Sequence, residues 1–234
     1  MQYLGGKSRL GKHIAQAIRA HGKHVQGTPI WEPFCGGLGC TPYLATLGPI
    51  ICSDVNPALI SLYRAVRAGW VAPDVDEDLY RAAKALPDSD PLKAFAGFGC
   101  SFGGKYFGGY ARQNTTYSFS NGARNALSKQ VPAAFSFDCW SFFDQVPQAG
   151  VTLYLDPPYA ETTGYSTGAF DNEAFWLRAE EWSKYTHVYV SEFKAPEAWL
   201  SVWECERGTK GGAALRTSDQ REHMERLFYR GPLT

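Results

Sequence analysis

The stretch Pro29-Ile30-Trp31-Glu32-Pro33-Phe34-Cys35-Gly36-Gly37-Leu38-Gly39 predicts a short buried strand that runs into a glycine-rich turn. Hydrophobic residues at Tyr43, Leu44 and Leu47 indicate a helix after the turn. The next apolar run, residues 49–54, predicts a second strand that ends in an acid, Asp54. A strand, a glycine turn, a helix, a second strand and an acid follow one another in this order in nucleotide-binding α/β folds.

The spacing within this unit narrows the choice of ligand. Gly36 and Asp54 are 18 residues apart, close to the ~20 expected between a phosphate-binding loop and a ribose-binding acid. The loop has no G-x-G-x-x-G pattern, so the fingerprint of a dinucleotide site is absent. The Glu32 carboxylate would repel a pyrophosphate but suits the α-amino group or sulfonium of S-adenosylmethionine. A tight turn that binds no ligand is the alternative that the loop alone leaves open.

The regions on either side continue the α/β order. We predict helices at residues 8–20, 57–69, 78–86 and 172–185, and strands at residues 151–155, 187–191, 200–207 and 225–229. The last two strands would form an antiparallel edge hairpin on an otherwise parallel sheet. Residues 91–134 have weak periodicity and are predicted to be an insert. The expected fold class is therefore α/β, with a mostly parallel Rossmann-like sheet and a small inserted region.

A second motif, Asp156-Pro157-Pro158-Tyr159, follows the strand predicted at residues 151–155. Ligands of open α/β sheets bind outside the carboxyl ends of the strands, so this motif is placed for chemistry. The Asp156 carboxylate and the Pro157 carbonyl can accept the two hydrogens of an exocyclic amine. Pro158 stiffens the turn, and Tyr159 offers a face for stacking on a flat ring. A strand end without a chemical role is the alternative.

A third motif, Tyr3-Leu4-Gly5-Gly6-Lys7, is a glycine turn ahead of the first predicted helix. Lys7 could pair with a carboxylate of a ligand, and Tyr3 could pack on that ligand. Without the other motifs, the lysine would be interpreted as an ordinary surface residue.

Composition excludes several classes of protein. The chain has 234 residues and 44% hydrophobic residues, enough for one folded core with a small insert. It has no run of 18 apolar residues and no apolar signal segment, so we expect a cytoplasmic protein without a membrane span. The six cysteines form no Cys-x-x-Cys pair, so we expect reduced thiols and no metal site.

The distribution of charge is uneven although the net charge is +0. The 47 residues between Asp90 and Asp138 contain no acid and five basic residues. Basic groups among aromatic and flexible polar residues suit a phosphate backbone and its bases. The residues expected to contact DNA are Lys105, Arg112, Arg124 and Lys129. A glycine-rich surface loop that binds no partner is the alternative interpretation of this basic segment. The acidic residues 74–78 lie outside the segment and are expected to face away from a polyanion.

Together these motifs resemble the Dam-type (D12 class) DNA adenine-N6 methyltransferases of bacteria and phages. The similarity lies in ordered blocks at residues 3–7, 32–39, 53–60, 156–159 and 216–228. Two departures stand out. Glu192 follows Ser191 where the family often has asparagine, and residues 98–112 lack the family's usual recognition pattern, so the target sequence does not carry over.

The resemblance implies a cofactor, a set of site residues and a domain organisation. The cofactor would be S-adenosylmethionine, held by Tyr3, Lys7, Glu32, Phe34, Gly36, Gly37, Gly39, Asp54 and Asp156. The catalytic residues would be Asp156, Pro157, Pro158 and Tyr159. Residues 1–90 and 135–234 would form the catalytic domain, and residues 91–134 would hold the target-recognition elements.

The function expected from these features is methylation of the N6 amine of adenine in double-stranded DNA, on a flipped base, by a monomeric enzyme. Such activity occurs in restriction–modification systems. Cytosine-N4 methylation and a non-catalytic DNA-binding relative remain alternatives. Cytosine-C5 methylation is excluded because it needs a nucleophilic cysteine, usually in a Pro-Cys pair that this chain lacks. An NAD-dependent oxidoreductase is disfavoured by the missing dinucleotide fingerprint.

Overall fold

Short strands and helices alternate along the computed structural model, which describes residues 1–112, 118–158, 170–206 and 224–232. The helices are α1 (Gly11–His21), α2 (Thr41–Leu44), α3 (Pro57–Arg67), α4 (Glu77–Ala83), α5 (Pro91–Ala94), α6 (Phe119–Gln130) and α7 (Asn172–Ser183). The strands are β1 (Ile30–Glu32), β2 (Ile50–Asp54), β3 (Ser136–Cys139), β4 (Thr152–Leu155), β5 (Val188–Glu192), β6 (Leu200–Glu206) and β7 (Met224–Arg230). Within these ranges, no helix combines the length and the apolar character that crossing a membrane requires.

The strands form one seven-stranded sheet in the order β3-β2-β1-β4-β5-β7-β6. The five strands from β3 to β5 pair in parallel. β7 pairs antiparallel with both β5 and β6. The predicted fold class, a mostly parallel Rossmann-like sheet with an antiparallel edge hairpin, is therefore confirmed. The arrangement brings the carboxyl ends of β1, β2 and β4 to the same edge of the sheet.

The two faces of the sheet are covered by separate apolar clusters. Tyr154 and Tyr189 point to one face and join the cluster that contains α1 and α3. Leu153 and Val188, their neighbours along the strands, point to the other face and pack with α7. This alternation follows from the two-residue repeat of a strand, and it makes β4 and β5 buried on both sides.

Three elements escaped the sequence prediction, and one of them is the four-residue helix α5. The strand β3 lies at the sheet edge, has four residues, and buries only Phe137 fully, so it lacks a continuous apolar run. The helix α6 lies in the segment predicted to be an insert and buries Ser120, Ala123 and Leu127. Two of these three buried residues are small, so a search for large hydrophobic side chains at helical spacing gives a weak signal.

Part of the predicted insert packs into the main core. Residues 94–99 are buried, and the Phe98 ring lies 5.1 Å from the Tyr3 ring and 4.5 Å from the Tyr106 ring. Phe98, Tyr106 and Phe107 of this segment therefore pack on one another. The division into residues 1–90 with 135–234 and residues 91–134 stays a prediction.

Substitution of Trp182 tests the packing of α7 against the sheet. Its side chain is 2% exposed, stacks on Trp31 at 5.6 Å between ring centroids and lies 4.5 Å from the Phe142 ring. We expect Trp182→Ala to lower the free energy of unfolding by about 3–5 kcal/mol because it leaves a large cavity. Leu177→Ala on the same helix, where the side chain is 64% exposed, should change it by less than about 0.5 kcal/mol. Denaturant unfolding of both variants measures the difference, and equal losses would contradict the packing described.

Candidate active site

A cavity of about 250 Å³ lies at the carboxyl ends of β1, β2 and β4. Every residue that the sequence predicted to hold a cofactor lines it: Tyr3, Lys7, Glu32, Phe34, Gly36, Gly37, Gly39, Asp54 and Asp156. Pro157 and Pro158 line it as well. Tyr159, the fourth predicted catalytic residue, lies outside the described residues. The structure thus brings together three motifs that are far apart in the sequence.

Asp54 links the end of β2 to the glycine turn. Its Oδ2 atom accepts a hydrogen bond from the Gly36 N–H at 2.9 Å, and its Oδ1 atom accepts one from the Asn56 N–H at 2.9 Å. Burial raises the pKa of this carboxyl to about 6, although both backbone hydrogen bonds oppose the shift. At neutral pH Asp54 is therefore mainly a carboxylate, fixed in place by the backbone around it.

The glycines of the turn make room for the amino-terminal segment. A Cβ atom at Gly37 would collide with Cβ of Tyr3, and one at Gly39 would lie 2.7 Å from the Lys7 nitrogen. Gly36 has a φ of +42°, a conformation that favours glycine. The sequence suggested that these glycines let a ligand approach the backbone. The structure shows that Gly37 and Gly39 first let Tyr3 and Lys7 approach it.

Lys7 is the buried cation of the site. Its side chain is 1% exposed. The Nζ atom donates a hydrogen bond to Asp156 Oδ1 at 2.7 Å and lies 3.3 Å from Glu225 Oε1. Burial would lower the pKa of Lys7, but the charges of Asp156 and Glu225 outweigh it and raise the pKa. Lys7 thus pairs with carboxylates of the protein itself, and its pairing with a carboxylate of a ligand stays a prediction.

Glu32 is a buried carboxyl group next to this pair. Its Oε2 atom accepts a hydrogen bond from Thr41 Oγ1 at 2.6 Å. Burial, with the nearby charges of Asp156 and Asp54, raises its pKa to about 8. Glu32 is therefore mainly protonated at neutral pH in this structure. A cation in the cavity would favour the ionised form and lower the pKa again.

Glu192, the residue that departs from the family pattern, ends β5 in the same region. Its Oε1 atom accepts a hydrogen bond from the Phe193 N–H at 2.8 Å. Burial raises its pKa to about 7; the Lys7 charge lowers the pKa, and the Asp156 and Glu225 charges raise it. Lys7 is therefore surrounded by several carboxyl groups, and the cavity has an excess of negative charge. Such a cavity fits a ligand that carries positive charge.

Several lining residues were not predicted from the sequence. Phe142 and Phe170 lie with Phe34 at ring distances of 5.1 and 5.8 Å and form an apolar wall. Other additions are Leu4, Gly5, Gly6, Cys35, Cys40, Val55, Ser141 and Phe143. Phe142 follows the strand that was missed, so no predicted strand end pointed to it. Glu225 was overlooked because an acid between Met224 and Arg226 in a strand gives no sign of burial.

The predicted DNA-binding residues lie outside the cavity lining. Lys105 and Lys129 are exposed. Arg112 Nε lies 4.0 Å from Glu77 Oε2, and Arg124 donates to Asp74 Oδ1 at 2.6 Å. Two of the four predicted DNA-binding cations thus lie next to the acidic residues 74–78, and the expectation that these acids face away from a polyanion stays a prediction.

The raised pKa of Glu32 predicts a pH dependence of stability. Between about pH 4.5 and 8 the folded protein keeps a proton on Glu32 that the unfolded chain releases, so stability falls as the pH rises. From pH 6 to 8 the ligand-free wild type should lose about 2 kcal/mol relative to Glu32→Gln, which stays neutral. Urea unfolding at each pH measures this. Glu173→Gln, an exposed site on α7, is the control, and parallel curves for wild type and Glu32→Gln would refute the protonation of Glu32.

Comparisons with known proteins bear on this cavity. Residues 3–94 match the model of the family described as D12 class N6 adenine-specific DNA methyltransferase. No curated protein sequence matches the chain.

Solved structures give distant matches. The rRNA methyltransferase aviRa from Streptomyces viridochromogenes is 13% identical, with a TM-score of 0.44, over 95% of this chain and 84% of its own. The candidate methyltransferase yhhF from Escherichia coli is 11% identical, with a TM-score of 0.44, over 100% and 99%. These values are too low to carry an argument about the reaction or its substrate. The fold assignment therefore rests on the sheet order, and the chemistry rests on the family match and the cavity.

The matched residues 3–94 include the amino-terminal segment, the glycine turn and Asp54, so three of the motifs that led to the resemblance lie within them. The resemblance is therefore confirmed over residues 3–94, where the chain matches the D12 class of N6 adenine-specific DNA methyltransferases, and methyl transfer with S-adenosylmethionine as the cofactor is the chemistry that this match supports.

Proposed function

We propose that this protein methylates the N6 amine of adenine in double-stranded DNA. The observation that carries the proposal is the convergence of Asp54, Glu32 and Asp156-Pro157-Pro158 on one cavity at the carboxyl edge of the sheet. The family match over residues 3–94 supports the same assignment. The target amine would enter where Asp156 and the prolines line the cavity.

The cavity offers groups that fit each part of S-adenosylmethionine. Asp54, at the end of β2, is placed to accept hydrogen bonds from ribose hydroxyls. Glu32 and its neighbouring carboxyl groups favour the positively charged methionine part. The phenylalanine wall suits the adenine ring. When bound, the cofactor supplies an electrophilic methyl group.

Asp156 has the central role in orienting the substrate amine. Lys7 Nζ holds Oδ1 of Asp156 at 2.7 Å and so fixes the plane of the carboxylate. We assign Oδ2 to one N–H of the amine and the Pro157 carbonyl to the other. Two acceptors in fixed positions hold the amine with its lone pair directed at the methyl group. Alignment and charge complementarity lower the barrier without a covalent intermediate on the protein.

A base inside a duplex cannot reach a cavity at the edge of this sheet, so the adenine has to be flipped out of the helix. Tyr159 would stack on the flipped ring, next to the acceptors on Asp156 and Pro157. The segment 91–134 would contribute target recognition. Lys105 and Lys129, which are exposed, are its best-placed cations for phosphates, whereas Arg112 and Arg124 would have to leave their acidic partners.

The reaction is tested by transfer of tritium from labelled S-adenosylmethionine to duplex DNA, single-stranded DNA and RNA, followed by nucleoside analysis. N6-methyladenine in the duplex is the expected product. N4-methylcytosine would support the alternative amine substrate. Label in RNA alone would refute the DNA assignment, and no label in any polymer would favour a non-catalytic protein.

We expect Asp156→Asn to lower the methyl-transfer turnover by about 10²–10³-fold, because a neutral amide loses the charged acceptor and its pairing with Lys7. Asp138→Asn is the matched control, since Asp138 lies near the end of β3 at the same sheet edge and pairs with Arg64 rather than lining the cavity. The control should keep its turnover. A turnover of Asp156→Asn close to that of the control would remove Asp156 from the mechanism.

We expect Asp54→Asn to weaken the binding of S-adenosylhomocysteine by about 10–100-fold, the equivalent of a lost hydrogen bond to a charged group. Titration calorimetry measures this affinity, with circular dichroism to check the fold. Turnover at saturating cofactor should fall much less than affinity. An unchanged dissociation constant would show that Asp54 only holds the glycine turn.

A further inference from the structure

The outer face of α1 carries a row of basic residues. Arg9, Lys12, Gln16, Arg19 and Lys23 follow one another at intervals of three and four residues and are all exposed. This spacing places them on one side of the helix and its flanking turns. The four cations of this row, Arg9, Lys12, Arg19 and Lys23, are called the α1 ridge below.

Acidic side chains do not neutralise the ridge. Residues 1–31 contain no aspartate or glutamate. Within the described ranges, no ridge cation forms an ion pair, and Arg19 donates to the neutral Thr46 carbonyl at 3.2 Å. Several other surface cations are paired with acids: Arg64 with Asp138, Arg81 with Glu77, Lys93 with Asp88, Arg124 with Asp74, and Arg230 with Glu180. The ridge is therefore a concentration of uncompensated positive charge on a protein of net charge +0.

The ridge begins beside the active-site cavity. Arg9 lines a groove of about 510 Å³ between the amino-terminal segment and α6. Tyr3, Gly6, Gly37 and Gly39 line both the groove and the active-site cavity. None of the described residues that line the groove is acidic. A polyanion at the cavity could therefore continue along the groove and the ridge without meeting a carboxylate.

We propose that the α1 ridge binds the phosphate backbone of the DNA duplex from which the adenine is flipped. The inference rests on the proposed function, because it takes DNA as the polymer at the cavity. Lys12 and Arg19 are seven residues apart, about 10 Å along a helix, which corresponds to about three base pairs of DNA. Contacts with phosphates fix the position of a duplex and carry no direct sequence information.

The geometry of α1 argues against a membrane surface as the partner. Ile14, Ala17 and Ile18 on its opposite face are buried in the core. No apolar side of the helix is left to enter a bilayer, which an interfacial helix requires. The ridge offers charge alone, and the partner that presents regularly spaced negative charge next to a DNA-modifying cavity is the nucleic acid backbone.

The ridge should contribute more to DNA affinity than the paired arginines of the segment 91–134. Arg124 donates to Asp74 and to the Ala72 carbonyl at 2.9 Å, so a phosphate contact would require breaking an existing arrangement. The ridge cations need no such exchange with a carboxylate. Arg9 and Lys12 are nearest to the cavity and should contribute most, and Lys23 should contribute least.

The test measures DNA affinity over a salt series for Arg9→Gln, Lys12→Gln, Arg19→Gln, Lys23→Gln and the fourfold variant. Two 30-base-pair duplexes serve as probes. The first contains a sequence that the wild type methylates, or a genomic sequence if the wild type methylates no duplex. The second is a scrambled duplex of the same composition. Lys184→Gln is the control, an exposed lysine that follows α7 on the opposite face of the sheet. Melting temperatures of all variants check the fold, and methyl transfer is measured in parallel at saturating DNA.

We expect each variant near the cavity to lower the slope of log affinity against log salt by about 0.9. The loss should be the same on both duplexes, the turnover at saturating DNA should stay at the wild-type level, and Lys184→Gln should match the wild type. A fourfold variant that binds with the wild-type slope, or a loss confined to the methylated sequence, would overturn the inference. Affinity and methyl transfer test different hypotheses. DNA binding without methylation by the wild type would refute the proposed function. Methylation by the wild type, with unchanged DNA affinity of the ridge variants, would refute only the binding of DNA by the α1 ridge.

Discussion

The buried ion pairs of Lys7 connect the parts of the chain that form the candidate active site. Lys7 belongs to the amino-terminal segment, Asp156 follows β4, and Glu225 lies in β7, so one ammonium group connects three separate parts of the chain. Removing one partner of a buried ion pair leaves an uncompensated charge and typically costs about 3–5 kcal/mol. The glycine turn depends on the same interaction, because Gly37 and Gly39 give Tyr3 and Lys7 the space in which Lys7 reaches Asp156. The position of the proposed catalytic carboxylate is therefore set by residues that are remote from it in the sequence.

The concentration of carboxyl groups around Lys7 is unfavourable for the ligand-free fold and favourable for binding a cation. Burial raises the pKa of Glu32 to about 8 and of Glu192 to about 7, so at neutral pH Glu32 is mainly protonated and Glu192 is partly protonated. A positively charged ligand would shift this balance towards the ionised forms. Ligand binding and proton release are then coupled, and the affinity for a cation should rise with pH over this range. Perturbed carboxyl groups of this kind are common at functional sites.

Elements marked by a continuous apolar run and a recognisable end, such as an acid or a glycine turn, were predicted correctly from the sequence. The strand at residues 29–34 was predicted from its entry into the glycine turn, and the strand ending in Asp54 and the strand before Asp156 were predicted from apolar runs closed by acids. Glu32, Asp54 and Asp156 line one cavity. The edge strand β3 and the helix α6 were missed because the buried face of β3 is short and the buried face of α6 has mostly small side chains. The pairing of Lys7 with Glu225 and the approach of Arg124 to Asp74 were missed for another reason. Both contacts depend on how segments that are distant in the sequence pack together, and this packing cannot be predicted from the charge pattern or the hydrophobic periodicity.

The position of β7 has a consequence for how the protein is made. β7 lies between β5 and β6 in the sheet, although it follows both in the chain. While the chain emerges from the ribosome, β6 has no strand to pair with, and Lys7 lacks the carboxylate of Glu225. A growing chain that has folded its parallel strands therefore still lacks one carboxylate partner of Lys7 and has an open sheet edge until β7 inserts. Such an edge invites pairing with other chains, so the chain is open to misassembly until β7 pairs with β5 and β6.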